Sequence, residues 1–456
     1  MAYCIWKSYK LDFEPLAVFE ALSREKDSFF LDASLRNKEP SARYSFLGVD
    51  PFFILESRKR DPFPQLRNLL ETYKTRRLSP DIPFEGGAVG FLSYDLGLVL
   101  ENKLKYLAKK CSGIPESRFA FYNTVIAIDH FKKTLHIFAS GFPEKKYSFA
   151  KTLAGDNFKK MARLLSGVNR GRPFRRQVGG TVPSQVLGSD FSREGYIKAI
   201  KKAKDYIRAG DIYQVNLAQQ FKARSDLSGP ELYCRLRENS PSNFSAYQDC
   251  GDFQIISSSP ERFLQLRGRN VLTRPMKGTR PRGDNQKQDA RLKKELINSA
   301  KDKAELLMIT DLERNDLGRV CSYESIKVTR LRQLETYSTV FQTTATVEGR
   351  LHKDKDRIDL LRASFPGGSI TGCPKIRSME IIEELEPVRR SIYTGCLGYL
   401  SFSGEMDFNI LIRTMLKQDS TVSFGVGGGI VTDSLPDKEY EETLVKAKAM
   451  IRAIGA

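Results

Sequence analysis

The sequence predicts a mixed α/β fold, and two patterns along its 456 residues support that class. Short apolar runs interrupted by Pro, Gly and Asp fill the first part of the chain, as expected of strands and turns. Farther along, apolar side chains recur every three or four positions, as expected of amphipathic helices. With 40% hydrophobic residues, the chain can bury a substantial core in one large or two ordinary domains.

Residues 1–165 are expected to form a β-rich N-terminal region, with strand-like apolar runs at 52–55 and 124–128. Residues 166–189 are richer in Gly, Pro, Ser and Arg, and they lack apolar periodicity. We interpret this segment as an exposed basic linker. Its arginines are accompanied by a single Phe, so the segment has charge without a base-stacking surface, and an arm that binds nucleic acid is disfavoured.

Residues 190–456 show the clearest local patterns. Ser192 can cap a helix whose apolar side chains repeat as far as Gly210. Further elements are expected as follows: helices at about 300–312 and 438–451, and strands at 253–257, 263–266 and 271–273, the last two joined by a turn at 268–270.

The charge balance favours an anionic partner, because Lys and Arg outnumber Asp and Glu by 74 to 55. The basic residues are spread along the chain without interleaved aromatic side chains, which argues against nucleic acid. The seven cysteines are widely spaced and include no C-x-x-C pair, so we expect reduced thiols in a cytoplasmic protein. No run approaches the roughly 18 apolar residues of a membrane helix, so we expect no membrane association.

Two pairs of carboxylates are spaced to share a helical face. Asp302 and Glu305 stand three residues apart in one predicted helix, and Glu439 and Glu442 do so in another. Two such faces brought together could hold Mg²⁺, which binds one or two protein carboxylates together with substrate oxygens. Taken alone, such pairs are usually solvated surface charge.

Two further residues stand where a side chain can be aimed into a cleft. Glu261 follows a proline that interrupts the end of a predicted strand. Lys277 lies between Pro275 and Gly278, in a segment that we expect to be a rigid loop. A lysine acts as a nucleophile only when its amine is neutral, which requires burial or neighbouring cations to lower its pKa. Alone, each motif is more often an ordinary turn or a solvated loop.

Two glycine-rich runs, at 365–372 and 425–429, could let backbone amides approach an anion closely. Neither run has the spacing of a nucleotide-binding loop, so a carboxylate suits them better than a triphosphate. Taken singly, each run is more often a tight turn than an anion site.

In their order along the chain, these segments closely resemble the chorismate-utilising enzymes, most densely between residues 205 and 447. The segments that carry the resemblance are 210–217 (GDIYQVNL), 259–263 (SPERF), 275–279 (PMKGT), 311–319 (DLERNDLGR), 367–372 (GGSITG), 412–414 (IRT) and 439–443 (EYEET). The resemblance implies an α/β (α+β) fold of antiparallel sheets packed as a sandwich with surrounding helices. It also implies that residues 190–456 form the chorismate-binding catalytic domain.

Two positions distinguish branches of this family. Isochorismate and salicylate synthases are expected to have a lysine base where this chain has Gln214, and glutamine cannot activate water. Anthranilate synthases usually have alanine at the position of Lys277, whereas aminodeoxychorismate synthases have lysine. The resemblance therefore implies amination of chorismate at C4 on the route to 4-aminobenzoate and folate, with anthranilate synthase component I as the alternative.

The resemblance also implies roles for individual residues. Lys277 is expected to add covalently to C2 of chorismate, and Glu261 to act as general acid and base. Glu305 and Glu442 would hold Mg²⁺, with Asp302 and Glu439 behind them. The remaining substrate-binding positions are Gln214, Gln342, Thr371, Tyr393, Arg413, Gly428 and Gly429, where Gln342 replaces a histidine common in the family.

Two binding partners other than chorismate are implied. No cysteine lies in a G-x-C-x-G elbow, so ammonia is expected from a separate glutamine amidotransferase subunit. The family can also bind tryptophan in the N-terminal region, and the matching residues here are Ser34, Arg43, Tyr44, Phe244 and Ser245. Asn243 replaces the usual proline of that pocket, so its occupancy is left open.

Overall fold

A computed structural model describes residues 3–35, 37, 39–101, 104, 109–168, 185–336 and 340–455 of the chain. Two large antiparallel sheets form its centre, and helices surround them. The predicted α/β class is therefore confirmed, as is the expectation of antiparallel sheets with helices around them. Within these residues, no helix is both long enough and apolar enough to cross a lipid bilayer.

The helices of the described residues are α1 (Pro15–Leu22), α2 (Phe63–Thr72), α3 (Leu96–Leu100), α4 (Tyr147–Ser166), α5 (Arg193–Arg208), α6 (Gly229–Asn239), α7 (Gln286–Asn298), α8 (Ala300–Gly318), α9 (Arg357–Ser364), α10 (Lys375–Leu385) and α11 (Pro436–Ile454). Short 3-10 turns lie at Pro40–Ala42 and Gly368–Ile370.

The strands of the described residues are β1 (Cys4–Lys10), β2 (Phe29–Asp32), β3 (Tyr44–Gly48), β4 (Phe53–Ser57), β5 (Gly87–Leu92), β6 (Ser117–Tyr122), β7 (Thr124–Asp129), β8 (Thr134–Ser140), β9 (Gln185–Ser189), β10 (Gln214–Arg224), β11 (Phe244–Asp249), β12 (Gln254–Ser259), β13 (Arg262–Arg267), β14 (Asn270–Arg274), β15 (Met276–Pro281), β16 (Lys327–Thr336), β17 (Val340–Arg350), β18 (Gly372–Cys373), β19 (Cys396–Ser401), β20 (Met406–Ile410), β21 (Thr414–Gln418) and β22 (Thr421–Ile430).

Each sheet combines strands from both sides of the predicted linker. The first sheet has the order β1-β8-β7-β3-β2-β11-β12-β21-β22-β10-β18, with β9 paired to β10. The second has the order β15-β17-β14-β13-β20-β19-β5-β6-β4, with β16 paired to β17. Strands of the N-terminal and catalytic regions are therefore neighbours in both sheets, as in the β2–β11 and β5–β19 pairs.

The two sheets pack face to face over a shared apolar core. One buried cluster joins Phe46 and Ala127 of the first sheet to Ala120 and Tyr399 of the second. A second cluster includes Ile255 and Leu416 from the first sheet and Phe91 and Leu397 from the second. Helices α1, α4, α6 and α11 cover the outer face of the first sheet, so both of its faces are buried there. Burial on both faces explains why β7 of this sheet reads as a nearly continuous apolar run.

Local sequence signals located several elements correctly. The Ser192 hydroxyl accepts a hydrogen bond from the amide of Gly195 (3.0 Å) and caps α5, as predicted. The β13–β14 hairpin turns at the predicted residues, and the helices expected at about 300–312 and 438–451 are α8 and α11. Both helices extend beyond the predicted limits, because the sequence marks their apolar face more clearly than their ends.

Three local predictions were wrong. Lys277 lies in strand β15 rather than in a loop, and the glycine run 425–429 lies inside strand β22 rather than in a turn. In both cases pairing with a neighbouring strand overrides the local turn signal. Residues 185–189, at the end of the predicted linker, form β9 and pair with β10. Residues 169–184 of that linker lie outside the described residues.

Candidate active site

The predicted catalytic residues meet where β10 and β22 of the first sheet approach β15 of the second. A Cβ atom at Gly429 would lie 2.3 Å from Nε2 of Gln214 and 3.6 Å from Nζ of Lys277. A Cβ atom at Gly428 would lie 3.4 Å from a carboxylate oxygen of Glu439 and 3.7 Å from one of Glu442. The structure therefore brings Gly429 close to Gln214 and Lys277, each of which lies more than a hundred positions before it in the sequence.

Lys277 sits at an irregularity in the pairing of β15 with β17. The register shifts between Lys277 and Thr279, and Gly278 between them has a φ of +74°, which favours glycine. The Lys277 amine donates a hydrogen bond to the carbonyl oxygen of Ser369 (3.1 Å). Burial of the amine lowers the pKa of Lys277, while the nearby carboxylates of Glu305 and Glu261 oppose that change.

Glu261 lies in the short connection between β12 and β13 and is only 5% exposed. Burial raises its pKa to about 7, although hydrogen bonds from the Ser369 hydroxyl and the Met276 amide and the charge of Lys277 all oppose the increase. Burial thus favours the neutral form of both groups, a free amine beside a carboxylic acid. A nucleophile and a general acid need those protonation states.

Two glutamines of the site have buried amide atoms without a hydrogen-bond partner. Among the described residues, neither Oε1 nor Nε2 of Gln214 is bonded, and the same holds for Oε1 of Gln342. Nε2 of Gln342 donates to the Thr279 hydroxyl (3.2 Å), next to the Lys277–Gly278 irregularity. Buried polar atoms are rarely left unpaired in folded proteins, so these three are available to a polar ligand.

The other predicted substrate-binding residues differ in how clearly they belong to this pocket. Thr371 is fully buried, and its hydroxyl donates to the carbonyl of Gly367 (3.0 Å). Tyr393 packs so closely on β22 that a Cβ at Gly425 would lie 2.3 Å from its ring. Arg413 has a φ of +49° and a hydrogen bond from its guanidinium to the Ser240 hydroxyl (3.4 Å). The role of Arg413 in the pocket stays a prediction.

The four predicted metal ligands face one another, but each is paired with a cation. The Lys301 ammonium lies 3.9 Å from Glu305 on its own helix and 3.5 Å from Glu439 on α11, so it bridges the two helices. Asp302 pairs with Arg280 (3.1 Å) and Glu442 with Lys446 (2.7 Å). Within the described residues, no three His, Cys, Asp or Glu side chains are grouped closely enough to hold a metal ion. The oxygen donors suit Mg²⁺, but these ammonium groups would have to move aside for it.

The residues predicted for tryptophan border a separate cavity between the two sheets. Its volume is about 570 Å³ including the part open to solvent, and Tyr44, Phe244 and Ser245 line it. Beside it, the Ser34 and Ser245 hydroxyls are hydrogen-bonded (2.8 Å), and Arg43 pairs with Asp129 (2.8 Å) while stacking on Tyr44. Oδ1 of Asn243, which also lines the cavity, is buried and unbonded among the described residues. The cavity can therefore accept a ligand with a hydrogen-bond donor.

Sequence reasoning missed Ser369 and Lys301. Ser369 contacts Lys277 through its carbonyl and Glu261 through its hydroxyl, yet within the run 367–372 only Thr371 was singled out. Lys301 directly precedes Asp302, and that adjacency was the available signal for an ammonium near the carboxylates. Both residues also have partners in distant parts of the chain: Lys277 and Glu261 for Ser369, and Glu439 for Lys301.

The site combines a lysine amine whose pKa is lowered by burial, a buried carboxylic acid and unbonded amide groups, which are the groups of an enzyme active site for a polar substrate. Residues 29–452 match the family described as chorismate binding enzyme, and the chain belongs to that family. It is thus an enzyme that acts on chorismate.

Similar proteins include both branches considered above. The chain is 38% identical to anthranilate synthase component 1 of Thermus thermophilus, covering 98% of this chain and 97% of the relative. It is 34% identical to aminodeoxychorismate synthase component 1 of Bacillus subtilis, covering 96% and 94%. The enzyme is therefore of the anthranilate or aminodeoxychorismate synthase type, and overall identity does not separate the two.

Solved structures agree with this fold. Anthranilate synthase component I from Streptococcus pneumoniae superposes with a TM-score of 0.78 at 31% identity, covering 91% of this chain and 93% of that one. The menaquinone-specific isochorismate synthase of Escherichia coli gives a TM-score of 0.77 at 18% identity, covering 100% and 94%. At that lower identity, the second likeness concerns the fold alone.

Proposed function

We propose that the enzyme aminates chorismate at C4 with ammonia to give 4-amino-4-deoxychorismate, through a covalent intermediate on Lys277. The observation that carries the proposal is the Lys277 amine, whose pKa is lowered by burial, close to the acid Glu261. An alanine at this position, as is usual in anthranilate synthases, would leave the pocket without a nucleophilic amine. Ammonia would then have to attack the ring directly.

In the proposed first step, the neutral Lys277 amine forms a bond to C2 of the ring, the two conjugated ring double bonds shift, and the C4–oxygen bond breaks. Glu261 gives its proton to the departing hydroxyl, which leaves as water. In the second step, ammonia attacks C4, both double bonds shift back, and the C2–nitrogen bond breaks to restore the lysine. The Glu261 carboxylate then takes the surplus proton from the new ammonium group. The net change is the replacement of hydroxyl by amine, with release of water.

The amides of the site fit this reaction better than attack by water. Gln214 stands beside Lys277 and has no basic group to activate a water molecule. The unbonded amide atoms of Gln214 and Gln342 can hydrogen-bond the substrate's hydroxyl and carboxylate groups instead. Gln342 cannot protonate a leaving hydroxyl, so the acid role falls on Glu261. Tyr393, Thr371, Arg413 and the amides of Gly428 and Gly429 are proposed to bind the remaining substrate oxygens.

We propose Mg²⁺ as the cofactor, held by Glu305 and Glu442 with Asp302 and Glu439 close behind. When bound, the ion would neutralise the ring carboxylate of the substrate and hold the ring in place. Displacement of the Lys301 and Lys446 ammonium groups would accompany its binding, because they now compensate the same carboxylates. The ammonia is proposed to come from a glutamine amidotransferase subunit, in keeping with the component 1 designation of the relatives.

Product analysis tests the proposal directly. The purified chain is incubated with chorismate, MgCl₂ and ammonium at pH 8, with and without a lyase that converts aminodeoxychorismate to 4-aminobenzoate. We expect 4-amino-4-deoxychorismate by mass spectrometry, and 4-aminobenzoate only when the lyase is added. Fluorescent anthranilate formed without the lyase would instead establish the alternative activity, that of anthranilate synthase component 1, to which the chain is also similar.

The covalent step has its own test. Lys277→Ala should lower amination sharply and abolish any chorismate-derived adduct detected by intact-protein mass spectrometry. Lys287→Ala removes an exposed lysine from the nearby helix α7 and is the matched control. It should retain the amination activity and the covalent adduct. An adduct that persists in Lys277→Ala would exclude this lysine as the nucleophile.

A further inference from the structure

One buried carboxyl near the pocket has no role in the proposed reaction. Glu313 lies on α8, the helix that also carries Asp302 and Glu305, and it is only 3% exposed. Its Oε1 accepts a hydrogen bond from the backbone amide of Gly368 (3.2 Å), and its Oε2 accepts one from the Thr273 hydroxyl (3.3 Å). A carboxyl is rarely buried this deeply without a structural or functional reason.

The bond to Gly368 connects Glu313 to both proposed catalytic residues. Gly368 directly precedes Ser369, whose carbonyl accepts from the Lys277 amine and whose hydroxyl donates to Glu261. The segment also rests tightly on α8, since a Cβ atom at Gly368 would lie 2.6 Å from Cδ2 of Leu312. The position of Ser369 therefore depends on how its segment is held against α8, and the Glu313 carboxyl supplies the polar contact that holds it.

We propose that Glu313 is a positioning residue for the reaction: through the Gly368 amide it fixes Ser369 in contact with both Glu261 and Lys277. The inference rests on the proposed function only in assigning those two residues to the chemistry. The carboxyl of Glu313 is hydrogen-bonded to Gly368 and Thr273, and it acts on the reaction through Ser369.

The charges around Glu313 indicate that the side chain is neutral when it accepts the hydrogen bond from the Gly368 amide and so holds Ser369 in place. Burial, and then the nearby Asp316 carboxylate, raise the pKa of Glu313 well above its ordinary value. Lys375 pairs with Asp316 (2.5 Å) and offsets only part of the effect, and Glu261 adds further negative charge. On the far side, Glu261 faces the Lys277 amine. A glutamine at position 313 should therefore preserve both the shape and the charge of the native side chain.

Glu313 could influence Glu261 by two mechanisms, and they predict opposite changes in the pKa of Glu261 when Glu313 is replaced by leucine. If Glu313 acted directly as a negative charge, its removal would lower the pKa of Glu261, and Glu313→Gln and Glu313→Leu would behave alike. If it acts by holding Ser369, only Glu313→Leu releases the segment. Glu261 then loses the Ser369 hydroxyl donor, which now lowers its pKa, so the pKa of Glu261 rises.

The experiment measures the pKa of Glu261 by ¹³C NMR titration of protein labelled at the glutamate carboxyl carbon, with Glu261→Gln assigning the resonance. The variants are Glu313→Leu, Glu313→Gln, Ser369→Ala and the Glu313→Leu/Ser369→Ala double variant. Glu85→Gln is the matched control, because Glu85 also has a raised pKa and accepts from backbone amides, those of Leu78 and Ser79. Turnover with chorismate and ammonia is followed in parallel for kcat and KM.

We expect Glu313→Leu and Ser369→Ala each to raise the pKa of Glu261 by a few tenths to about one pH unit, as for loss of one hydrogen bond to a carboxylate. The double variant should show no more than either single change, because both act on the same bond. Glu313→Leu should lower kcat about 10- to 100-fold with a smaller change in KM. Glu313→Gln and Glu85→Gln should remain close to the wild type in all these measurements.

A pKa of Glu261 that is unchanged or lowered in Glu313→Leu, or additive effects in the double variant, would overturn the inference. Should Glu313→Leu fail to fold by circular dichroism, Gly368→Ala displaces the same segment from α8 and should raise the pKa of Glu261 in its place. The titration needs no turnover, so it reports on Glu313 even if the wild type proves to form anthranilate. Product identity reports separately on the proposed function.

Discussion

Replacing Glu261 by glutamine should abolish most of the activity and yet stabilise the folded protein at alkaline pH. Burial raises the pKa of this carboxyl from 4.5 to about 7, so the folded state binds its proton more tightly than the unfolded chain does. Ionisation of Glu261 therefore lowers the free energy of unfolding. This loss of stability is absent below pH 4.5, grows between pH 4.5 and about 7, and stays constant above that pH.

The size of the effect follows from the pKa shift. With about 1.4 kcal/mol per pKa unit, ionisation of Glu261 destabilises the folded protein by about 3 kcal/mol above pH 7. A glutamine at position 261 cannot ionise, so its folded state is not destabilised in this way. It accepts the hydrogen bonds from Ser369 and Met276 less well than the carboxyl does. That imperfect fit does not depend on pH, so a comparison of two pH values removes it. For a chain of this length, about 1 °C in Tm corresponds to 1 kcal/mol.

The assay is thermal unfolding of the wild type and Glu261→Gln at pH 5 and pH 8, in buffers of equal ionic strength. The Tm of the variant relative to the wild type should be about 2–3 °C higher at pH 8 than at pH 5. Its kcat should fall about 100- to 10,000-fold, as for loss of a general acid. Glu441→Gln, on the exposed face of α11, should show neither effect. A Tm difference that is the same at both pH values would refute the buried, neutral state of Glu261.

Three further predictions concern the rest of the site. Gly429→Ala places a Cβ atom 2.3 Å from Nε2 of Gln214 and should lower turnover about 100-fold. The control is Gly155→Ala on helix α4, where an added Cβ meets no neighbouring atom. It should leave turnover unchanged and raise the free energy of unfolding by about 1 kcal/mol. Chelation of divalent cations should stop turnover until Mg²⁺ is restored, and Glu305→Gln should bind Mg²⁺ more weakly by calorimetry. L-Tryptophan should raise the Tm if it occupies the cavity beside Tyr44, and an unchanged Tm would contradict that occupancy.

Local sequence patterns predicted the elements whose signals are themselves local. The cap at Ser192 and the hairpin between β13 and β14 depend on residues a few positions apart, and both are present as predicted. Helical spacing also placed Glu439 and Glu442 on one helix, α11, facing the site. Spacing could not show what lies opposite them. The Lys301 ammonium that joins α8 to α11 is therefore visible only once the two helices are packed.

The glycines of β22 show why the rest of the site could not be derived from local pattern. A run of glycines between residues 425 and 429 favours a turn when only neighbours are considered, yet here it forms a strand that pairs with β10 along its whole length. Because Gly429 has no side chain, the Gln214 amide and the Lys277 amine can approach it closely. Gly428 leaves room in the same way for the carboxylates of Glu439 and Glu442 on α11. The same absence of side chains that weakens a strand locally thus permits the closest approaches in the pocket. Those approaches bury the amine of Lys277, and its burial is what lowers its pKa.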